Sequence, residues 1–124
     1  MTFLDTSIII DFLAGDKEIV VLVKELSQKE DVKTTTITEY ELMRHKTKFR
    51  REAAEKFLSA VTVFSFDRAS ARKAALLYEK LRETGEMINE NDLLIAGISL
   101  SNDEILLTRD RKFSNLGEAS IKIL

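Results

Sequence analysis

The chain has 124 residues, 44% hydrophobic and 32% charged, with a formal net charge of −2, a composition that suits one folded core. It contains no cysteine, which excludes disulfides, thiolate metal sites and cysteine nucleophiles and agrees with a cytoplasmic setting. The near-neutral charge gives no global pull toward nucleic acid, so any such binding rests on local patches; no apolar run of roughly 18 residues marks a membrane span, and no basic-then-apolar leader marks secretion.

A first strand is expected over residues 2–5, where Asp5 hands over to a helix from Ser7. Aspartate is a poor strand former and a good helix cap. Ile9, Phe12 and Leu13 share one helical face and Gly15 is placed to stop it. Residues 17–29 form a second helix through Ile19, Val20, Val23 and Leu26. Val32 to Ile37 is a strand by its β-branched threonines, and Thr38-Glu39-Tyr40-Glu41 matches a capping box that would open a helix. Ala53 to Val61 marks the next helix and residues 61–66 a third strand. Asp67 opens a long helix ended by Gly85; a polar connection leads to Asp92 and the apolar run Leu93 to Leu100, a buried helix. Ile105 to Thr108 is a strand, Arg109 to Lys112 a charged loop, Phe113 to Leu116 a helical turn and Ile121 to Leu124 the last strand. Alternating strands and helices predict a largely parallel sheet covered on both faces, in one domain over residues 1–124.

Five acids fall just after a strand or near a helix start: Asp5, Glu41, Asp67, Asp92 and Asp110. Singly, each is explained as a cap or turn residue. Parallel strands, however, bring these positions to one sheet edge, where ligands bind in open α/β sheets. Carboxylates gathered in one cleft need protons or a cation, and oxygen-only ligands suit Mg²⁺ or Mn²⁺. The single histidine, His45, reads as a surface residue.

L-D-T-S-I-I-I-D-F-L at the start, T-I-T-E-Y-E-L in the second strand-to-helix passage, N-D-L-L-I-A-G in the buried helix and L-L-T-R-D-R-K-F near the end occur in this order. Together they resemble the PIN domain, specifically the small VapC-type toxin ribonucleases. The resemblance implies a three-layer α/β/α fold with a central, mainly parallel sheet of about four or five strands. It implies Asp5, Glu41, Asp92 and Asp110 as metal ligands and catalytic acids, with Glu39 as the fallback for Glu41. Ser7 and Thr108 match small hydroxyl residues flanking that site, and Glu90 is an additional acid beside it. The third strand falls at a sheet edge in the family, which removes Asp67 from the cluster. Asp11 recurs in related sequences with a structural role on the first helix.

The activity so implied is metal-dependent endoribonucleolytic cleavage in a toxin–antitoxin pair, with Mg²⁺ or Mn²⁺ as cofactor. RNA, a VapB-type antitoxin and a second copy of the chain are the implied partners. For the RNA phosphates, Arg44 to Arg51 offers eight residues without an acid, including Arg44, Lys46, Lys48, Arg50 and Arg51. Arg109, Arg111 and Lys112 flank Asp110. The competing readings are a non-catalytic PIN-fold scaffold that binds RNA or protein, and a haloacid-dehalogenase-like phosphatase. The phosphatase needs a second aspartate where this chain has Ser7.

Overall fold

In the computed structural model, which describes residues 1–124, five strands form one sheet of order β3-β2-β1-β4-β5, every neighbouring pair parallel. The strands are β1 (Thr2–Leu4), β2 (Val32–Thr35), β3 (Thr62–Phe64), β4 (Ile105–Thr108) and β5 (Ile121–Ile123). The helices are α1 (Thr6–Leu13), α2 (Lys17–Lys29), α3 (Thr36–Met43), α4 (Lys48–Ala60), α5 (Arg68–Thr84) and α6 (Glu90–Ser101), with a 3-10 segment over Arg111–Leu116.

Alternation along the strands divides the core in two. Phe3 and Leu106 face α5 and α6, packing with Leu77, Leu81, Ile95 and Ile98. Leu4 and Leu107 face the other way, toward Ile8, Ile19, Val23 and Leu58 of α1, α2 and α4. This is the expected three-layer arrangement, with all strands parallel. Both faces are covered, so β1 and β2 are buried throughout and β4 at every residue but Ile105.

The order of strands places the site. The chain moves outward from β1 through β2 to β3, then returns to the other side of β1 for β4 and β5. The strand order reverses between β1 and β4, and in open α/β sheets ligands bind outside the carboxyl ends of the strands at such a switch point. Asp5 follows β1 there, and Arg109 and Asp110 follow β4; the Asp5 N–H donates to the Leu107 carbonyl at 2.9 Å.

Two sequence expectations need correction. The second strand stops at Thr35, and Thr36 and Ile37 are already helical. Thr38 is therefore not the cap: Thr35 is, its hydroxyl accepting from the Thr38 N–H at 3.1 Å. Glu41 consequently lies past the first turn of α3 and not in a capping box. The third strand is also shorter than residues 61–66, ending at Phe64.

Candidate metal centre

Asp5 is 2% exposed, and its two oxygens have different fates. Oδ2 accepts from Ser7 Oγ at 2.9 Å and from Thr108 Oγ1 at 2.7 Å. Each hydroxyl also accepts from the backbone that follows β4: Arg109 N–H to Ser7 Oγ and Asp110 N–H to Thr108 Oγ1, both at 3.0 Å. Two hydroxyls thus give their protons to Asp5 while holding the Asp110 loop. Oδ1 is buried without any hydrogen-bond partner. An orphaned carboxylate oxygen in a protein interior is costly. Burial raises the Asp5 pKa, opposed by the Thr108 and Ser7 hydrogen bonds.

Asp92, in the first turn of α6, is half-buried. Desolvation, then the charges of Asp5, Asp110 and Glu41, and a hydrogen bond to Asp110 that favours the protonated acid, together raise its pKa to about 7. Four carboxylates from four separate stretches of sequence therefore bear on one another. Asp92 and Asp110 share a hydrogen bond, but no three of the carboxylates close into a ready-made metal cage. Glu41 is oriented by Thr6, whose hydroxyl donates to Glu41 Oε1 at 2.8 Å and lies 3.0 Å from Thr38 Oγ1. Asp110 caps the 3-10 segment, its Oδ1 accepting from the Lys112 N–H at 3.0 Å. The donors are all oxygens, and the buried Asp5 Oδ1 lacks a partner; a hard divalent cation such as Mg²⁺ or Mn²⁺ fits both facts.

Asp67 belongs elsewhere. Its Oδ1 accepts from Ser70 N–H and Oγ at 2.9 and 2.7 Å, and Ser70 Oγ lies 3.2 Å from Ser101 Oγ at the far end of α6. Nine residues of helix separate Ser101 from Asp92, roughly 14 Å along the axis. Glu39 is half-buried on α3 and Glu90 is exposed at the start of α6; neither is among the carboxylates that weigh on Asp92.

The basic residues separate into engaged and free. Arg109 meets Asp11 and Asp16 at 2.9 Å each and Glu18 at 3.4 Å. Its guanidinium ties the loop after β4 to α1 and α2 and gives Asp11 a structural partner, so Arg109, expected at the RNA phosphates, is engaged within the protein. Arg51 donates to the carbonyls of His45 and Lys46 at 2.6 and 3.0 Å, closing the turn between α3 and α4. Lys48 pairs with Glu52 at 3.8 Å. Arg44, Lys46, Arg50, Arg111 and Lys112 are exposed. His45 is exposed too, its Nδ1 accepting from the Thr47 N–H at 3.2 Å. Sequence reading missed Thr6 and the Asp16 end of the Arg109 clamp, because nothing local distinguishes a threonine or aspartate that reaches across the fold.

The PIN domain family profile matches residues 2–119. Ribonuclease VapC19 of Mycobacterium tuberculosis is 30% identical over 109 residues, 87% of each chain. Among solved structures, a member of the VapBC family of toxin–antitoxin systems, VapBC-5 from Mycobacterium tuberculosis, is 30% identical with a TM-score of 0.71, covering 99% of this chain and 96% of that one. VapBC2 from Rickettsia felis, bound to a DNA fragment from its promoter, shares the fold at a TM-score of 0.84 and 20% identity, with 99% and 96% coverage.

Proposed function

This chain belongs to the PIN domain family, and from that membership we propose that it is a VapC-type toxin, a divalent-metal-dependent endoribonuclease that hydrolyses RNA phosphodiester bonds. The observation that carries the reading is the buried, unpartnered Asp5 Oδ1, beside an Asp92 whose pKa is driven to about 7 by desolvation and the other carboxylates. Asp5, Glu41, Asp92 and Asp110 would hold Mg²⁺ or Mn²⁺. When bound, such a cation supplies positive charge to phosphate oxygens and acidifies water.

The protein's own residues do the positioning. Ser7 and Thr108 fix Asp5 by one oxygen and leave the other for the site. Thr6 orients Glu41. The Arg109 clamp holds the strand end from which Asp110 projects, while Arg111 and Lys112 stand exposed beside it for phosphate. A VapB-type antitoxin is the partner proposed by analogy with the toxin–antitoxin relatives, a second copy of the chain is proposed from the family resemblance, and a cytoplasmic setting suits a chain without cysteine. No helix is long and apolar enough to cross a membrane.

Incubation with a mixed RNA pool tests the reading. Cleavage is expected with Mn²⁺ or Mg²⁺, to stop on chelation, and to fall at least about a hundredfold in Asp92→Asn with the fold intact by circular dichroism; a loss of that order follows removal of one charge-stabilising group. Undiminished cleavage by Asp92→Asn in metal-containing buffer would refute the assignment.

A further inference from the structure

The turn between α3 and α4 carries two features beyond its charge. Phe49 is 82% exposed and Tyr40 is 58% exposed. Single exposed apolar side chains are ordinary on a protein surface, but Tyr40 stands just ahead of the basic stretch and Phe49 within it. The Arg44 guanidinium lies over the Tyr40 ring, 5.0 Å from its centroid, with Nη1 3.4 Å from the phenol oxygen. The guanidinium thus covers one face of the phenol ring, and bases stack on arginine planes as well as on aromatic rings.

Topology puts this turn beside the carboxylates. α3 leaves the carboxyl end of β2, and α4 must reach the amino end of the parallel neighbour β3. Thirteen residues of α4 span roughly 20 Å, so its first turn, with Phe49 and Arg50, lies back at the carboxyl edge. Tyr40 precedes Glu41 on the same helix. The turn itself is held by Arg51 on two carbonyls, leaving Arg44, Lys46 and Arg50 exposed. Cations alternating with exposed aromatics complement a flexible polyanion whose bases are free to splay, and a duplex hides those base faces.

Resting on the ribonuclease reading, we infer that Tyr40, Arg44 and Phe49 form a stacking platform for unpaired nucleotides of an RNA substrate, with Lys46 and Arg50 against the neighbouring phosphates. The platform selects single-stranded segments and leads the strand toward Asp5 and Asp92.

Binding without cleavage tests this. Chelator-treated protein is titrated against a short single-stranded oligoribonucleotide carrying 2-aminopurine, and against the matching duplex, over a range of salt. Phe49→Ala is expected to weaken single-strand binding about tenfold, the usual size of one lost base stack, and to diminish the 2-aminopurine quench. Its salt slope and melting temperature should stay unchanged, because Phe49 packs in no core. Phe49→Trp should restore affinity, and Arg50→Gln should flatten the salt slope instead. Unchanged single-strand affinity in Phe49→Ala overturns the platform. So does a shift of Phe49→Ala from dimer to monomer in sedimentation with RNA affinity retained, which assigns the face to a protein contact. Metal-dependent cleavage by the unaltered protein reports separately on the ribonuclease reading and persists if the platform alone is wrong.

Discussion

Asp92 is the residue at which the chemistry of the site becomes measurable without any substrate. Desolvation first, then Asp5, Asp110 and Glu41, raise its pKa from the model-compound value of 3.8 to about 7. The folded protein therefore holds a proton that the unfolded chain has released over the interval between those values. That proton linkage favours the fold fully below pH 3.8 and is lost as pH rises through about 7. Asn at this position cannot ionise. In chelator, Asp92→Asn should melt with the parent protein near pH 4 and above it at pH 8, by about 4 °C for each kcal/mol of relieved repulsion in a chain of this size. Saturating Mn²⁺ should reverse the order at pH 8, since ligand binding to the folded state alone stabilises it. Differential scanning calorimetry at both pH values, with and without the ion, checks all the signs; a variant less stable in chelator at pH 8 would contradict the cluster. Asp5, Asp92 and Asp110 were legible in the sequence because each follows a strand or opens a helix, whereas Glu41, past the first turn of α3, came through the family resemblance. Which oxygens are satisfied was not legible: Ser7 and Thr108 lie 101 residues apart, and their joint hold on Asp5 exists only after β1 and β4 pair.

Between elements, sequence pattern located segments better than their ends. The helix over residues 17–29 and the strand from Ile105 to Thr108 stand where periodicity and β-branching put them. The start of α3 was misplaced because four of the five residues from Thr34 to Thr38 are threonine, and each satisfies both a strand and a cap rule. Tertiary pairing decides: Thr35 still pairs in register with Phe64 of β3, so the cap falls there. Gly97 shows the converse, a residue whose reason is invisible until helices pack. It lies in the middle of α6, where glycine is otherwise unfavourable. A Cβ at this position would come within 2.8 Å of the Ser70 carbonyl and 2.9 Å of the Ala74 Cβ on α5. Both neighbours are stiff, one being backbone, so the helices would have to separate. Gly97→Ala should therefore lose about 1–3 kcal/mol despite alanine's better helix propensity, read by urea unfolding. A stabilised variant would mean that α5 and α6 give way more easily than their packing implies.

Across the whole molecule the sheet keeps chemistry and anchoring at opposite ends. The carboxyl edge holds the like charges of Asp5, Asp92 and Asp110. The amino edge holds opposite ones: Lys33, 7% exposed on β2, donates to Glu104 Oε1 at 2.9 Å, and the N-terminal amine reaches Glu104 and Glu30 at 3.3 and 3.5 Å. The Lys33 ammonium also sits 4.9 Å from the Phe64 ring centroid. These groups precede or begin β1, β2 and β4, so they tie three strands together where no ligand is needed. Lys33 is buried and Glu104 half-buried, so removing the carboxylate leaves the ammonium short of its compensating charge. Glu104→Gln should destabilise the fold by about 3 kcal/mol, the low end for such a break because glutamine still accepts a hydrogen bond. Replacing both partners, as in Lys33→Met with Glu104→Leu, should recover most of that loss. In both variants metal-dependent cleavage per folded molecule should stay at the parent rate below the melting temperature, because nothing at the carboxyl edge has moved. Urea unfolding paired with a cleavage assay on the same samples separates the two ends. Loss of cleavage by fully folded Glu104→Gln would show that the sheet couples them, and that the arrangement of the four acids depends on the strand anchors beneath it.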